Sequence, residues 1–239
     1  MKKLLLRTAI LLATATGASA ADLSPAYKAP PPYVPAWTWT GFYGGVNLGG
    51  GWARGTETGT VTGLGSISTS TTFSGVIGGA QLGYNWQASS FVFGLEADVD
   101  GSGQSVTFGC VAFGAACGAS VTDRVNAFGT ARGRLGVAFD RWLVYATGGF
   151  SWQNVSRTAT ATVPGILSAT ATTSATRGGY AVGAGIEGAL WGNWIGGVEY
   201  LYLDTGTWTA NSITVGAFTA TESLRLQNSV VRGRLSYKF

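Results

Sequence analysis

Glu96 and Asp98, Arg132 and Arg134, and Arg232 and Arg234 form three like-charged pairs, each with one residue between its members, while Glu187 and Glu199 stand alone. In an extended strand, residues two apart project from the same face. The spacing therefore predicts acidic and basic stripes on different strands, able to pair across an enclosed space. Ion pairing and hydrogen bonding are the chemistry open to them. General-base and nucleophilic catalysis most often rest on histidine, and this chain has none. No catalytic residue, metal-ligand set or cofactor site is expected. Cys110 and Cys117 do not form a C-x-x-C pair and have no histidine beside them to complete a metal site. A disulfide closing a small loop is the favoured reading, stabilising by about 2 kcal/mol. Gly183-Ala184-Gly185-Ile186-Glu187-Gly188 matches G-x-G-x-x-G, but within a strand pattern it is a chance product of 38 glycines.

The chain that positions these residues begins with export signals. Lys2, Lys3 and Arg7 surround and precede an apolar run, and Ala18-Ser19-Ala20 offers a small-residue cleavage site. Residues 1–20 therefore predict a secretory signal peptide, too short to span a membrane as a helix. An oxidising destination permits the Cys110–Cys117 disulfide. Removing the signal leaves 12 basic and 11 acidic residues, so the formal charge falls from +4 to +1. Nucleic-acid binding loses its electrostatic basis. Residues 21–38 hold five of the six prolines and predict an extended periplasmic tether.

The rest of the chain is unusual: 12% aromatic over the whole sequence and only 11% charged, against roughly 25% charged in soluble domains. Outside the signal no stretch of about 20 apolar residues could span a bilayer as a helix. A closed barrel is the remaining way to cross. Eight runs of two-residue alternation fit it: 42–52, 73–86, 91–100, 124–139, 142–153, 179–190, 194–204 and 230–239. The expected fold is all-β, an eight-stranded antiparallel transmembrane β-barrel over residues 39–239. Short periplasmic turns fall at 87–90, 140–141 and 191–193. Long extracellular loops fall near 54–72, 101–122, 155–176 and 205–225. Aromatic residues cluster at both strand ends. Trp86, Phe91, Phe139, Trp142, Trp194, Tyr237 and Phe239 lie by the short turns or the C-terminus, and Trp52, Phe73, Trp152, Tyr180 and Tyr202 toward the long loops. Such girdles mark the two faces of a membrane.

Three segments carry a family resemblance. Trp39-Thr40-Gly41-Phe42-Tyr43-Gly44-Gly45 opens the first strand. Gly197-Val198-Glu199-Tyr200-Leu201-Tyr202-Leu203-Asp204 forms the seventh, and Val231-Arg232-Gly233-Arg234-Leu235-Ser236-Tyr237-Lys238-Phe239 the last. Together they resemble the small alphaproteobacterial outer-membrane proteins of the opacity/OmpA-like barrel superfamily, the porin-family immunogenic outer-membrane proteins. The resemblance implies an eight-stranded barrel in the bacterial outer membrane, in contact with lipid and lipopolysaccharide. It also implies that Leu235, Tyr237 and Phe239 are the signal for the barrel-assembly machinery. No peptidoglycan-binding domain is expected after Phe239, so a wall-anchoring role is not implied.

On the inward faces four acids, Glu96, Asp98, Glu187 and Glu199, match four bases, Arg132, Arg134, Arg232 and Arg234. Buried charges must pair, and an eight-stranded interior is just wide enough for side chains. The expectation is a polar plug, with a narrow conduction path gated by the same pairs as its rival. The expected role is structural and surface-interacting, with host or surface ligands at the loops. The alternatives are a small porin-like channel or a ligand-binding protein, for instance for haem. Histidine, the usual haem ligand, is missing, which counts against haem, and no loop tyrosine is well placed to serve as an axial group.

Overall fold

The computed structural model describes residues 37–112, 115–163, 167–215 and 218–239. The predicted signal peptide and nearly all of the predicted tether lie outside the described residues, as do the side chains of Cys110 and Cys117. Among the described residues there are nine strand segments: β1 Gly41–Val61, β2 Gly65–Ala88, β3 Phe91–Ser102, β4 Ser105–Ala112, β5 Ala115–Phe139, β6 Trp142–Val163, β7 Leu167–Ala189, β8 Trp194–Val215 and β9 Phe218–Lys238. Every pairing is antiparallel, and β1 pairs with β9 from Tyr43↔Lys238 to Val61↔Ala220, so the sheet closes on itself. β3 and β4 follow one another along β5, giving eight strand positions around the ring. At the break between them, the Gly103 amide donates to the Val76 carbonyl (2.9 Å), and the Gln104 carbonyl accepts from the Val125 amide (3.1 Å). Around the turn-proximal part of the ring this closure pairs both edges of every strand, whereas farther up the described residues of β7 over 167–179 and of β8 over 205–215 do not pair with each other.

One end of the ring is closed by tight turns. Ser89 and Asp140 take left-handed backbone conformations there, with φ of 56° and 53°, which lets each chain reverse within two residues. At the other end the strands run far beyond membrane length. The four segments expected as long loops are instead mostly paired β-structure among the described residues, with a described turn at residues 62–64. Their alternating Thr and Ser residues explain this. Both favour extended backbone when paired across strands. Hydroxyls bond across the hairpins at Thr58–Ser68 (3.2 Å), Thr158–Thr172 (3.1 Å), Thr160–Thr170 (3.4 Å) and Thr214–Thr219 (3.0 Å).

Near the turns the alternation holds. Phe42, Val46, Leu48, Leu82, Phe93, Leu95, Leu135 and Val144 face outward and are exposed, Leu48 by 68%. Their in-chain neighbours Tyr43, Asn47, Glu96, Arg134 and Tyr145 are buried inside. So contiguous an apolar exterior suits hydrocarbon rather than water. Two expectations fail higher up. The alternation that puts Arg132 and Arg134 inside would put Arg124 inside and Val125 outside, yet Val125 is fully buried and Arg124 is exposed. The β5–β6 register slips between Val125 and Ala127, so the extra residue Asn126 forms a bulge that reverses the face of everything beyond it. Phe73, expected in the outer aromatic girdle, is buried in the interior. It shares the inward parity of Ile77, Gln81 and Asn85.

Candidate functional site

The interior is layered. Nearest the short turns, Trp39, Val92, Ala138, Leu143, Tyr145 and Ile195 form a buried apolar cluster, with Trp37 packed against it. Trp39 is only 1% exposed, and its amide donates to Gln87 Oε1 (2.8 Å). Trp37 and Thr38, assigned by sequence to the tether, thus belong to the barrel mouth, where Lys238 Nζ bonds the Thr38 carbonyl and lies 4.7 Å from the Trp37 ring centre.

Above this cluster lie all eight charged residues singled out by sequence. Arg132 reaches Glu96 (2.6 Å), Asp98 (2.7 Å) and Glu199 (3.0 Å). Arg134 pairs with Glu187 at 2.8 Å and Glu96 at 3.4 Å. Arg232 pairs with Asp98 (3.1 Å), Asp100 (2.7 Å) and Glu199 (2.7 Å). Arg234 pairs with Glu96, with Glu199 at 2.9 Å and with Glu187 at 3.6 Å. Strand register sets part of this: Glu96 stands opposite Arg132, and Glu199 opposite Arg232. Arg132–Asp98, Arg134–Glu96 and Arg234–Glu199 are diagonal contacts between the same neighbouring strands, whereas Arg132–Glu199, Arg232–Asp98, Arg232–Asp100 and Arg234–Glu96 cross the lumen.

Two tyrosines complete the layer, and sequence reasoning assigned them no role. Tyr43 donates to Glu96 Oε2 (2.7 Å) and accepts from Arg134 Nη1 (2.7 Å). Tyr145 donates to Glu199 Oε1 (3.0 Å) and accepts from Arg234 Nη1 (2.9 Å). The Arg134 guanidinium also stacks 3.8 Å from the centre of the Tyr145 ring. The signal was their inward parity: a tyrosine on a polar face needs a hydrogen-bond partner there. Small residues make room for them. A Cβ on Gly185 would stand 2.5 Å from Tyr145 Oη. Asp100, on the same stripe as Glu96 and Asp98, is a fifth interior acid bound to Arg232, so the four-against-four balance expected from sequence becomes five acids to four bases.

Higher still, Ile77, Phe128, Ala181, Leu201, Leu203 and Val230 form a second buried cluster. Beside it Gln104 and Asn228 exchange amide hydrogen bonds of 2.9 and 3.1 Å. A third cluster, Ala53, Phe73, Val125 and Leu226, ends the packed interior, with Val106, Val155 and Trp208 partly buried against it. Among the described residues no group of three histidine, cysteine or carboxylate side chains is arranged to hold a metal ion. Leu235, Tyr237 and Phe239 lie exposed on the outer face, with the Tyr237 and Phe239 rings 5.5 Å apart.

A closed antiparallel ring with an apolar outer belt and a charged interior is a transmembrane β-barrel. Residues 8–239 match the family model for the outer membrane protein beta-barrel domain, and the chain belongs to that family. It is similar to the 31 kDa outer-membrane immunogenic protein of Brucella melitensis, 34% identical over 203 residues, covering 80% of this chain and 82% of that protein. The 22 kDa outer membrane protein of Rhizobium leguminosarum is 30% identical over 173 residues, 72% of this chain and 67% of that one. Among solved structures, outer membrane protein OprG from Pseudomonas aeruginosa aligns with a TM-score of 0.46 at 13% identity, over 84% of this chain and 96% of that one. The outer membrane protease OmpT from Escherichia coli aligns with a TM-score of 0.47 at 12% identity, over 86% and 99% of the two chains. The protein is therefore an outer-membrane β-barrel, with its short turns toward the periplasm and its long hairpins outside.

Proposed function

We propose that this barrel is a structural and surface-interaction protein, not an enzyme, and that its charged layer closes the lumen. The observation that carries this reading is the solvent exclusion of Arg132, Arg232, Glu96, Asp98 and Glu199, whose side chains are all 0% exposed. Water-filled channels hydrate the charges that line them. Here protein partners take the place of water for most of the polar atoms, with Asp98 Oδ1, Asp100 Oδ1, Arg134 Nε and Arg234 Nε the exceptions, and apolar clusters lie on both sides. Mutual pairing offsets part of the cost of burying such charges. The outer belt then rests in lipid and lipopolysaccharide, and the hairpin tips present threonine-rich surfaces to host or surface ligands. In the same reading, Leu235, Tyr237 and Phe239 serve as the signal for the barrel-assembly machinery, and Cys110 and Cys117 form a disulfide.

Liposome swelling with a pentose tests the closure. Wild-type proteoliposomes should swell no faster than protein-free ones, while Arg134→Ala/Arg234→Ala vesicles should leak. Swelling by the wild type would replace this reading with that of a small porin-like channel.

A further inference from the structure

Above the third apolar cluster the extended hairpins enclose a cavity of about 810 Å³ that opens to the extracellular side. That volume lies within the range of pockets for small organic ligands. Phe73, Val106, Val155, Trp208 and Leu226 line its lower part, so the floor is apolar and carries one large aromatic face. Its upper wall is charged: Arg124 is exposed there, and Arg225 is held by Asp204. Arg157 bonds Glu57 at 2.5 Å and Asp123 at 2.7 Å, which leaves that guanidinium committed.

Arg177 differs. It projects inward beside the same floor, with its guanidinium carbon 5.0 Å from the centre of the Trp208 ring. Its Nε is buried and has no hydrogen-bond acceptor, and it pairs with no carboxylate among the described residues. A guanidinium keeps its charge at any physiological pH and presents a planar fork of donors that matches a carboxylate or sulfonate. Arg177 lines the cavity from its place over the Trp208 ring, so its terminal donors face an anion bound there. The second cluster beneath is closely packed, with Ile77 at 1% and Phe128, Leu203 and Val230 at 0% exposure, so the cavity is a cup.

From these features we infer that the extracellular cup is a binding site for a small water-soluble amphiphile with a flat apolar body and a single anionic group. The apolar body lies on Phe73, Val155, Leu226 and the exposed part of Trp208. The anion pairs with the Arg177 guanidinium through its terminal nitrogens. The site captures a ligand from outside and is separate from any passage through the barrel.

Isothermal titration calorimetry with 2-naphthoate, on the full barrel in phospholipid nanodiscs, tests this. Empty nanodiscs correct for partition into lipid. The expected result is saturable binding of one naphthoate per barrel, weakened at least tenfold by Arg177→Gln and at least tenfold by the uncharged analogue 2-naphthamide. Val155→Trp, which fills the floor, should also abolish binding while leaving Arg177 in place. Far-UV circular dichroism and heat-modifiable gel mobility report that each variant is folded. Heats indistinguishable from those of empty nanodiscs would overturn the inference. So would equal binding by folded Arg177→Gln, or by folded Val155→Trp.

Discussion

Glu199 and Arg232 stand directly opposite each other across β8 and β9, and Arg232 binds the same carboxylate oxygen from Nε at 2.9 Å and from Nη2 at 2.7 Å, with neither side chain exposed to solvent. The pair is the junction of the charged layer. Glu199 also receives Arg132 and Arg234, and Arg232 also holds Asp98 and Asp100. Removing one member of such a group leaves the others buried and unpaired, which costs more than the pair itself contributes.

Arg232→Met is expected to destabilise the barrel by about 3–5 kcal/mol, because Asp98 and Asp100 lose a shared cation in a dry interior. Urea unfolding in lipid vesicles, followed by tryptophan fluorescence, measures it. A change below about 1 kcal/mol would mean that water already solvates the layer.

Trp39→Ala separates the periplasmic cluster from the charged layer. Truncating a tryptophan that is 1% exposed should cost about 3 kcal/mol. Liposome permeability should stay at the protein-free level, since the ion pairs lie above the cavity so created. Leakage by this single variant would assign closure to Trp39.

Gly185→Val tests the seat of Tyr145. Its Cβ would overlap the phenol oxygen at 2.5 Å, displacing the ring from Arg134 and Glu199. An overpacking cost of about 1–3 kcal/mol is expected. Gly148→Ala is the control. Its nearest atom, the Ala181 carbonyl oxygen, is 3.7 Å away, and it should change stability by less than about 0.5 kcal/mol.

Outside the membrane, Arg157 ties three hairpins together through Glu57 and Asp123, yet it is 46% exposed. Arg157→Gln should therefore cost under about 1 kcal/mol globally while raising amide exchange in the hairpins. Hydrogen bonding to Asp123 holds the Arg157 guanidinium above its ordinary range. A raised pKa stabilises the fold below the unfolded value and loses that effect only as pH passes the folded one, here beyond the alkaline working range. Exchange in these hairpins should thus show no pairing-dependent opening as pH rises to about 10. Opening in that range would place the guanidinium elsewhere.

Much of this architecture was legible from a period of two. Alternation such as Phe91-Val92-Phe93-Gly94-Leu95-Glu96 places side chains on faces without knowledge of partners, and it located the charged residues that meet inside. It failed where geometry departs from the period. Nothing in Val125-Asn126-Ala127 announces an inserted residue, so the bulge and the reversal beyond it were invisible. The Thr/Ser-rich segments resembled loops because their stabilising contacts are cross-strand hydroxyl pairs such as Thr158–Thr172, which exist only once register is set. Trp39 shares the inward parity of Tyr43, but its place in the mouth depends on Val92, Leu143 and Ile195 from distant strands. The cup at Arg177 requires hairpins from four regions of the chain, which no local pattern reveals.

Single-channel recording in planar bilayers tests lumen closure most directly. Refolded wild-type protein should give no steady conductance steps, and the Arg134→Ala/Arg234→Ala variant should give measurable ones. Large, steady, ion-selective steps from the wild type would contradict the account and make the same arginines the filter of a channel.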